Sequence, residues 1–152
     1  KGPPAWDRRK RGHFNQEIGR STGGLTTKIH ALVDALGNPL RIGLTGGNVH
    51  DIVPAPDLVS SQSADNLLGD KAYDADQFIA QVQSQGIKIV IPPKRNRREM
   101  RDYDRHIYKE RHLVECFFAK IKQCRRVATR YEKLALTFKS VVMIAACLVW
   151  LE

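Results

Sequence analysis

The chain has 152 residues, enough to bury one hydrophobic core without disulfides, and it carries a formal net charge of +9. Its longest apolar stretch, residues 141–151, is too short to span a bilayer, and the basic start lacks the apolar run of a signal peptide. The cysteines have no CxxC spacing and are expected to be buried thiols of a reducing compartment, hence the cytoplasm. They are Cys116, Cys124 and Cys147.

The charge is distributed in blocks along the chain. Residues 1–28 hold seven Lys and Arg against two Asp and Glu, residues 29–87 hold two against seven, and residues 88–133 hold fifteen against six. An acidic block between two basic blocks is expected of a metal-binding centre flanked by surfaces that bind a polyanion. The alternative interpretation is an ordinary basic protein whose charge runs are solvated.

The first third of the chain predicts a basic arm followed by a β-hairpin. Residues 1–24 are rich in Gly, Arg and Lys without a hydrophobic period, as in a loop. Residues 26–35 alternate apolar and polar side chains, and the turn at residues 37–39 leads into a second strand over residues 40–45. A short helix capped by Asp51 is predicted to follow the hairpin.

The middle of the chain predicts two short strands with a helix between them. The pair at residues 67–68 suits a short buried strand, and Asp70 sits near its end. Asp74 is the expected N-cap of the helix, because a glutamine lies three residues further on. Residues 87–91, IKIVI, form a β-branched run typical of a strand buried on both faces. A basic loop over residues 94–101 comes next.

One long amphipathic helix is predicted from Tyr103 to Arg126. At 100° per residue, four polar positions fall within an arc of about 60°. They are Tyr108, Arg111, Glu115 and Lys122. The opposite side carries an apolar stripe of Ile107, Leu113, Val114, Phe117, Phe118, Ile121 and Cys124. A single acid among cations suits a surface that grips a phosphate while holding a metal beside it.

The predicted order β-β-α-β-α-β-α-α, closed by an apolar core helix over residues 134–151, indicates a mixed α/β structure. Several motifs resemble bacterial insertion-sequence transposases of the DDE type. The spacing Tyr108-x2-Arg111-x3-Glu115-x6-Lys122 matches their Y-R-E-K signature, and LLGDKAYDAD is similar to their second-aspartate motif. GRSTGGLTTKIHALVDALGNPL and IPPKRNR are similar as well, so the resemblance covers residues 19–152.

The resemblance implies an RNase H-like fold, in which a mixed five-stranded sheet has helices on both faces. It also implies metal-dependent cleavage and strand transfer at transposon ends, with Mg²⁺ or Mn²⁺ as the cofactor and DNA as the partner. Carried over by motif, Asp70 is the second catalytic and metal-binding acid and Glu115 is the third. The implied DNA contacts are Tyr108, Arg111 and Lys122, and Lys94 and Arg95 of the basic loop are further candidates.

The first catalytic aspartate of such transposases belongs on a strand upstream of the Gly-rich arm. Asp7 precedes Glu17 without any strand pattern around it, and Asp34 ends a hairpin strand outside the motif. The first acid, its central strand and an N-terminal DNA-binding region are therefore expected to be absent. The expected domains are an arm over residues 1–24 and a partial RNase H-like catalytic domain over residues 25–152.

Other functions stay open at this point. The chain could be an inactive fragment that occupies transposon ends, either as a homodimer or assembled with full-length transposase. It could also be an RNase H-like, metal-dependent nuclease that only hydrolyses. The dipeptide His50-Asp51 is similar to the metal-binding pair of some phosphohydrolases, but a lone dipeptide is a weak signal.

Overall fold

The computed structural model describes residues 16–151. The predictions for residues 1–15, including Asp7 and most of the basic arm, lie outside the described residues. The described strands are β1 (Gly19–Ser21), β2 (Gly24–Val33), β3 (Pro39–Gly46), β4 (Asn66–Leu68) and β5 (Lys88–Val90). The helices are α1 (Ala55–Val59), α2 (Asp76–Ser84), α3 (Arg105–Tyr108), α4 (His112–Ile121), α5 (Arg125–Ala128) and α6 (Ala135–Trp150). Two 3₁₀ turns cover Lys71–Tyr73 and Lys109–Arg111.

The predicted hairpin is confirmed as the antiparallel pair β2 and β3. Asp34 builds its turn, because one carboxylate oxygen accepts the amides of Leu36 at 2.8 Å and Asn38 at 2.9 Å. Gly37 supplies the positive φ of 86° that the turn requires.

The prediction that residues 19–24 belong to a loop is wrong, because β1 pairs antiparallel with the start of β2. The backbone approaches closely here, and a side chain at Gly19 would place its Cβ only 1.8 Å from the amide oxygen of Asn48. Glycine therefore lets β1 fit against the end of β3, a use of the residue that composition alone did not reveal.

The mixed α/β class is confirmed, but the strands lie in two sheets. One is the antiparallel sheet β1-β2-β3, and the other is the parallel pair β4-β5. Each face of the hairpin supports its own core. On β2, Ile29, Ala31 and Val33 pack against the cluster formed by α4, α5 and α6. Leu32, on the opposite face, packs against the cluster of α1, α2 and β5.

Two predicted helix caps are wrong because both aspartates take partners far along the chain. Helix α1 begins at Ala55 without a side-chain cap, and Asp51 instead accepts a hydrogen bond from Lys28 Nζ at 2.9 Å. Helix α2 likewise has no side-chain cap, since Asp74 is buried and bonded to the basic loop. The strand predicted at residues 87–91 is confirmed as β5, with Ile89 buried.

The prediction of one long helix is wrong at both ends. Asp104 caps α3 by accepting the amides of His106 and Ile107, so the helix cannot begin at Tyr103. A 3₁₀ turn then joins α3 to α4, which ends at Ile121. Beyond it the chain turns into the separate helix α5, which buries Val127 against the same core as α4.

The final apolar helix is confirmed as α6, but only one of its faces is buried. Phe138 and Val142 lie in the core, whereas Ile144 and Leu148 are exposed. The prediction that the three cysteines are buried is wrong, since all three are exposed free thiols. Cys116 lies away from the core side of α4, Cys124 follows the end of that helix, and Cys147 is on the outer face of α6. No helix within residues 16–151 is long and apolar enough to cross a membrane.

Candidate active site

Asp70 lies in the turn that follows β4. Its carboxylate caps the 3₁₀ turn Lys71–Tyr73 by accepting the amide of Ala72 at 2.8 Å, and the residue is exposed. Gly69 allows this tight path, because a Cβ there would lie 3.2 Å from the Tyr73 ring. Asp70 thus follows the carboxyl end of a parallel strand, which is where open α/β sheets place their ligands.

Glu115 projects from α4 on the side away from the core. Arg111 Nη2 donates to its Oε1 at 2.5 Å, and the Glu115 side chain is 59% exposed. The Arg111 guanidinium also lies 5.9 Å from the centre of the Tyr108 ring. The predicted group of four polar residues is therefore confirmed for Tyr108, Arg111 and Glu115, whereas Lys122 lies beyond the last residue of α4. On the opposite side of α4, Phe117 is buried as predicted.

Electrostatics connect this face to Asp70. The hydrogen bond with Glu115 raises the pKa of Arg111, partial burial opposes the shift, and the charge of Asp70 adds to the increase. Arg111 is therefore a cation influenced by both candidate acids. The acids come from the end of β4 and from α4, which lie 45 residues apart in the sequence.

A second group of polar side chains lies near Asp70. Burial raises the pKa of Tyr73 to about 12, and the carboxylates of Asp51 and Asp70 add to the increase. Asp51 is ion-paired with Lys28, and nearby His30 is buried with its ring 2.7 Å from Thr45 Oγ1. Burial lowers the pKa of His30, an effect that Asp51 opposes.

Sequence reasoning missed Tyr73 as a neighbour of Asp70, and it missed Lys28 as the partner of Asp51. Tyr73 stands inside the motif that carries Asp70, so its position was a usable signal. Lys28 gave no such signal, because its ion pair with Asp51 joins positions 23 residues apart.

The remaining predicted DNA contacts lie outside the group around Arg111. Lys122 follows the last residue of α4, and its Nζ is 5.9 Å from the centre of the Phe118 ring. Lys94 and Arg95 lie in the basic loop, where Arg95 is exposed and the backbone amide of Lys94 donates to Asp74. Their contact with DNA stays a prediction.

The chemistry of the donors fits a hard metal ion, although the number of donors is small. Asp70 and Glu115 offer carboxylate oxygens, which Mg²⁺ prefers, and such ions keep several waters. Among residues 16–151, no group of three or more His, Cys, Asp or Glu side chains is placed to hold a metal. The pair His50-Asp51 belongs to no such group either, and the Asp51 carboxylate is engaged by Lys28.

These features define an α/β protein with two solvent-facing acids, one at the end of a parallel strand and one on a helix, and an arginine influenced by both. The transposase DDE domain matches residues 6–150, and the chain belongs to this family. It is 41% identical over 132 residues to a protein named as the transposase for insertion sequence element IS6501 of Brucella ovis. That match covers 84% of this chain and 100% of the relative.

A second relative, named as the transposase for insertion sequence element IS402 of Burkholderia cepacia, is 26% identical over 135 residues. The match covers 81% of this chain and 62% of that protein, so the chain spans less than two thirds of its length. No solved structure gives a significant match. The family predicted from the sequence motifs, that of the insertion-sequence DDE transposases, is therefore confirmed.

Proposed function

We propose that this chain forms part of the catalytic centre of a DDE transposase that cleaves and joins DNA phosphodiesters at insertion-sequence ends. The observation that carries the proposal is Arg111, which hydrogen-bonds Glu115 and has its pKa raised by Asp70 as well. A guanidinium that is bonded to one carboxylate and lies within the electrostatic influence of a second can also contact a phosphate. Family membership adds the reaction class.

Each acid has a distinct part in this proposal. Asp70, exposed beyond β4, and Glu115, exposed on α4, would hold Mg²⁺ or Mn²⁺ between two elements of the fold. When bound, the metal polarises the scissile phosphate and activates the attacking oxygen. The amide of Ala72 fixes one oxygen of Asp70, and Arg111 fixes one oxygen of Glu115, so both carboxylates are oriented before any ligand arrives.

The DNA backbone would lie along the face of Tyr108 and Arg111. The Arg111 guanidinium lies 5.9 Å from the centre of the Tyr108 ring at this surface, and Lys122 would extend the positive charge beyond the end of α4. Phosphate contacts of this kind fix the register of a duplex without reading its sequence. Lys94 and Arg95 of the basic loop would extend the same surface.

The RNase H-like arrangement of the sheet belongs to this proposal. An antiparallel hairpin on one side and the parallel pair β4-β5 on the other are two parts of such a mixed sheet. A central strand between them would join the two parts and supply a third acid. Assembly into a homodimer, or with a longer transposase, would bring further DNA-binding surface.

A second candidate function is a catalytically inactive fragment that binds transposon ends. It is favoured by one observation: in the part of the chain that the structure describes, no third acid joins Asp70 and Glu115. Both functions require DNA to bind at the same face, so binding is the first property to test.

Replacing Arg111 and Lys122 together by Ala is expected to weaken duplex binding and to flatten its salt dependence. Each lost phosphate contact should reduce the slope of log K against log salt by roughly one unit. The measurement is a titration of labelled duplex between low and moderate salt. The control replaces Lys133 and Lys139, two exposed lysines near the start of α6, and should leave the salt slope unchanged. An equal slope in wild type and the Arg111 and Lys122 variant would place the DNA elsewhere.

A further inference from the structure

The basic loop, residues 94–101, is bonded to a single buried carboxylate. Asp74 accepts the backbone amide of Lys94 at 2.7 Å, Arg97 Nη1 at 2.7 Å and Arg101 Nη2 at 3.2 Å. Only 1% of the Asp74 side chain is exposed. Three donors from one loop thus converge on one carboxylate located 20 to 27 residues earlier in the chain.

The end of the loop is also hydrogen-bonded to the chain just before the loop. Arg101 Nη2 donates to the backbone carbonyl of Ile91 at 3.0 Å, which ties the last residue of the loop to the residue before the two prolines that lead into it. Arg97 further contacts the carboxylate of Asp76, which is exposed. The loop is therefore held at its start, middle and end, and Asp74 is the point that all three connections share.

Asp74 and Asp70 stand at the two ends of the same short turn. Asp70 caps the 3₁₀ turn Lys71–Tyr73 and Asp74 ends it, with the Tyr73 amide donating to the Asp70 carbonyl at 3.1 Å. Fixing the loop to Asp74 therefore fixes it relative to the candidate catalytic acid. Only the three residues of this turn separate Asp74 from Asp70, so a displacement of the loop would be transmitted to Asp70.

The arginines of the loop fall into two groups, those paired with Asp74 and those exposed to solvent. Burial acts to raise the pKa of Asp74, but the Lys94 amide and the charges of Arg97 and Arg101 lower it overall, so Asp74 is an anion at neutral pH. Arg97 and Arg101 are engaged in neutralising it. Arg95 and Arg98, in contrast, are exposed and point to solvent from the held loop.

We propose that Asp74 is a positioning residue that locks the basic loop beside Asp70, so that Arg95 and Arg98 contact the DNA backbone next to the catalytic acid. The DNA part of this inference rests on the proposed function. The locking part does not, because it concerns only the contacts of the loop with the turn that ends in Asp74.

Asp74→Asn is expected to release the loop without unfolding the protein. Asparagine keeps the shape but removes the charge, so the bonds from Arg97 and Arg101 weaken. Trypsin cleavage within residues 94–101 should accelerate by about ten- to a hundredfold, the factor that corresponds to losing charge-assisted hydrogen bonds. The matched control is Asp76→Asn, because the exposed carboxylate of Asp76 also contacts Arg97. This substitution should change the rate of trypsin cleavage little. Circular dichroism verifies that both variants stay folded.

The outcomes separate the two parts of the inference. Equal trypsin rates in wild type and Asp74→Asn would overturn the lock. If Asp74→Asn does not fold, Arg101→Met replaces it, since methionine can donate neither of the hydrogen bonds that Arg101 Nη2 makes to Asp74 and Ile91. It should give the same acceleration, and its failure to do so would overturn the lock.

The DNA contact is tested in the wild-type background. Replacing Arg95 and Arg98 together by Ala should flatten the salt slope of duplex binding by about two units. An unchanged slope, with wild type still binding DNA, would overturn the DNA part of this inference alone. Absence of any duplex binding by wild type would overturn the proposed function and the DNA part, while the trypsin result would still decide the lock.

Discussion

The purified 152-residue chain is expected to leave duplex DNA uncut in the presence of Mg²⁺ or Mn²⁺. Residues 16–151 bring Asp70 and Glu115 to the site but contain no group of three acids that could hold a metal. Metal ions stabilise the transition state of phosphodiester cleavage by several kcal/mol, and each 1.36 kcal/mol is tenfold in rate. An incompletely held metal is therefore expected to cost about a thousandfold or more. The measurement is nicking of supercoiled plasmid and cleavage of an end-labelled duplex.

Point variants make this result interpretable. Cleavage that disappears in Glu115→Gln but persists in Glu110→Gln, a neighbouring exposed acid, would mean that a further acid of the 152 residues completes the site. That outcome would contradict the two-acid description of the site. Cleavage that survives both Asp70→Asn and Glu115→Gln would instead show that the activity does not arise at this site.

Phe117→Ala is expected to lower the free energy of unfolding by about 3–5 kcal/mol. Phe117 is 1% exposed and lies in the cluster that joins α4 to α6 and to the hairpin. Removing its ring leaves a cavity at the centre of that cluster, and the helix that carries Glu115 loses its main anchor. Urea denaturation followed by circular dichroism measures the change.

The control for Phe117 is its own neighbour. Cys116→Ala changes an exposed side chain of the same helix and is expected to shift stability by no more than about 0.5 kcal/mol. Comparable losses in the two variants would contradict the assignment of the buried face of α4. A large loss confined to Phe117→Ala would agree with the apolar stripe predicted from the sequence.

Local patterns predicted the elements well where the determining contacts are local. The hairpin follows from alternation and from a turn built by Asp34 and Gly37 within five residues. The caps at Asp51 and Asp74 were wrong because an aspartate before a helix satisfies the capping rule equally well when it is paired elsewhere. Their true partners, Lys28 and the basic loop, lie about 20 residues away in sequence.

Burial was harder to predict for helices that are apolar on most sides. Helix α6 offers apolar residues in nearly every direction, so its sequence could not show that Ile144 and Leu148 would be exposed. Cysteine is usually a buried residue, and that tendency misled the prediction for all three thiols. The division into two sheets was also not predictable, because strand patterns do not specify which strands pair.

The positive charge of residues 88–133 is less available than the sequence suggested. Arg97 and Arg101 neutralise Asp74, and Arg126 pairs with the buried Glu132. Arg130 is likewise engaged, donating to Thr27 Oγ1 at 2.5 Å. The surface for a phosphate backbone is therefore expected to depend on fewer cations, among them Arg111, which is bonded to Glu115.

The central claim, that Asp70 and Glu115 share one metal, can be tested directly without any enzymatic activity. Fe²⁺ replaces Mg²⁺ at oxygen sites and, with peroxide and ascorbate, produces radicals that cut the polypeptide next to the bound ion. The wild-type chain is expected to give cuts beside both Asp70 and Glu115, and both sets should disappear together in Asp70→Asn and in Glu115→Gln but not in Asp65→Asn. Cuts at only one of the two acids, or cuts that neither substitution changes, would contradict a shared metal site.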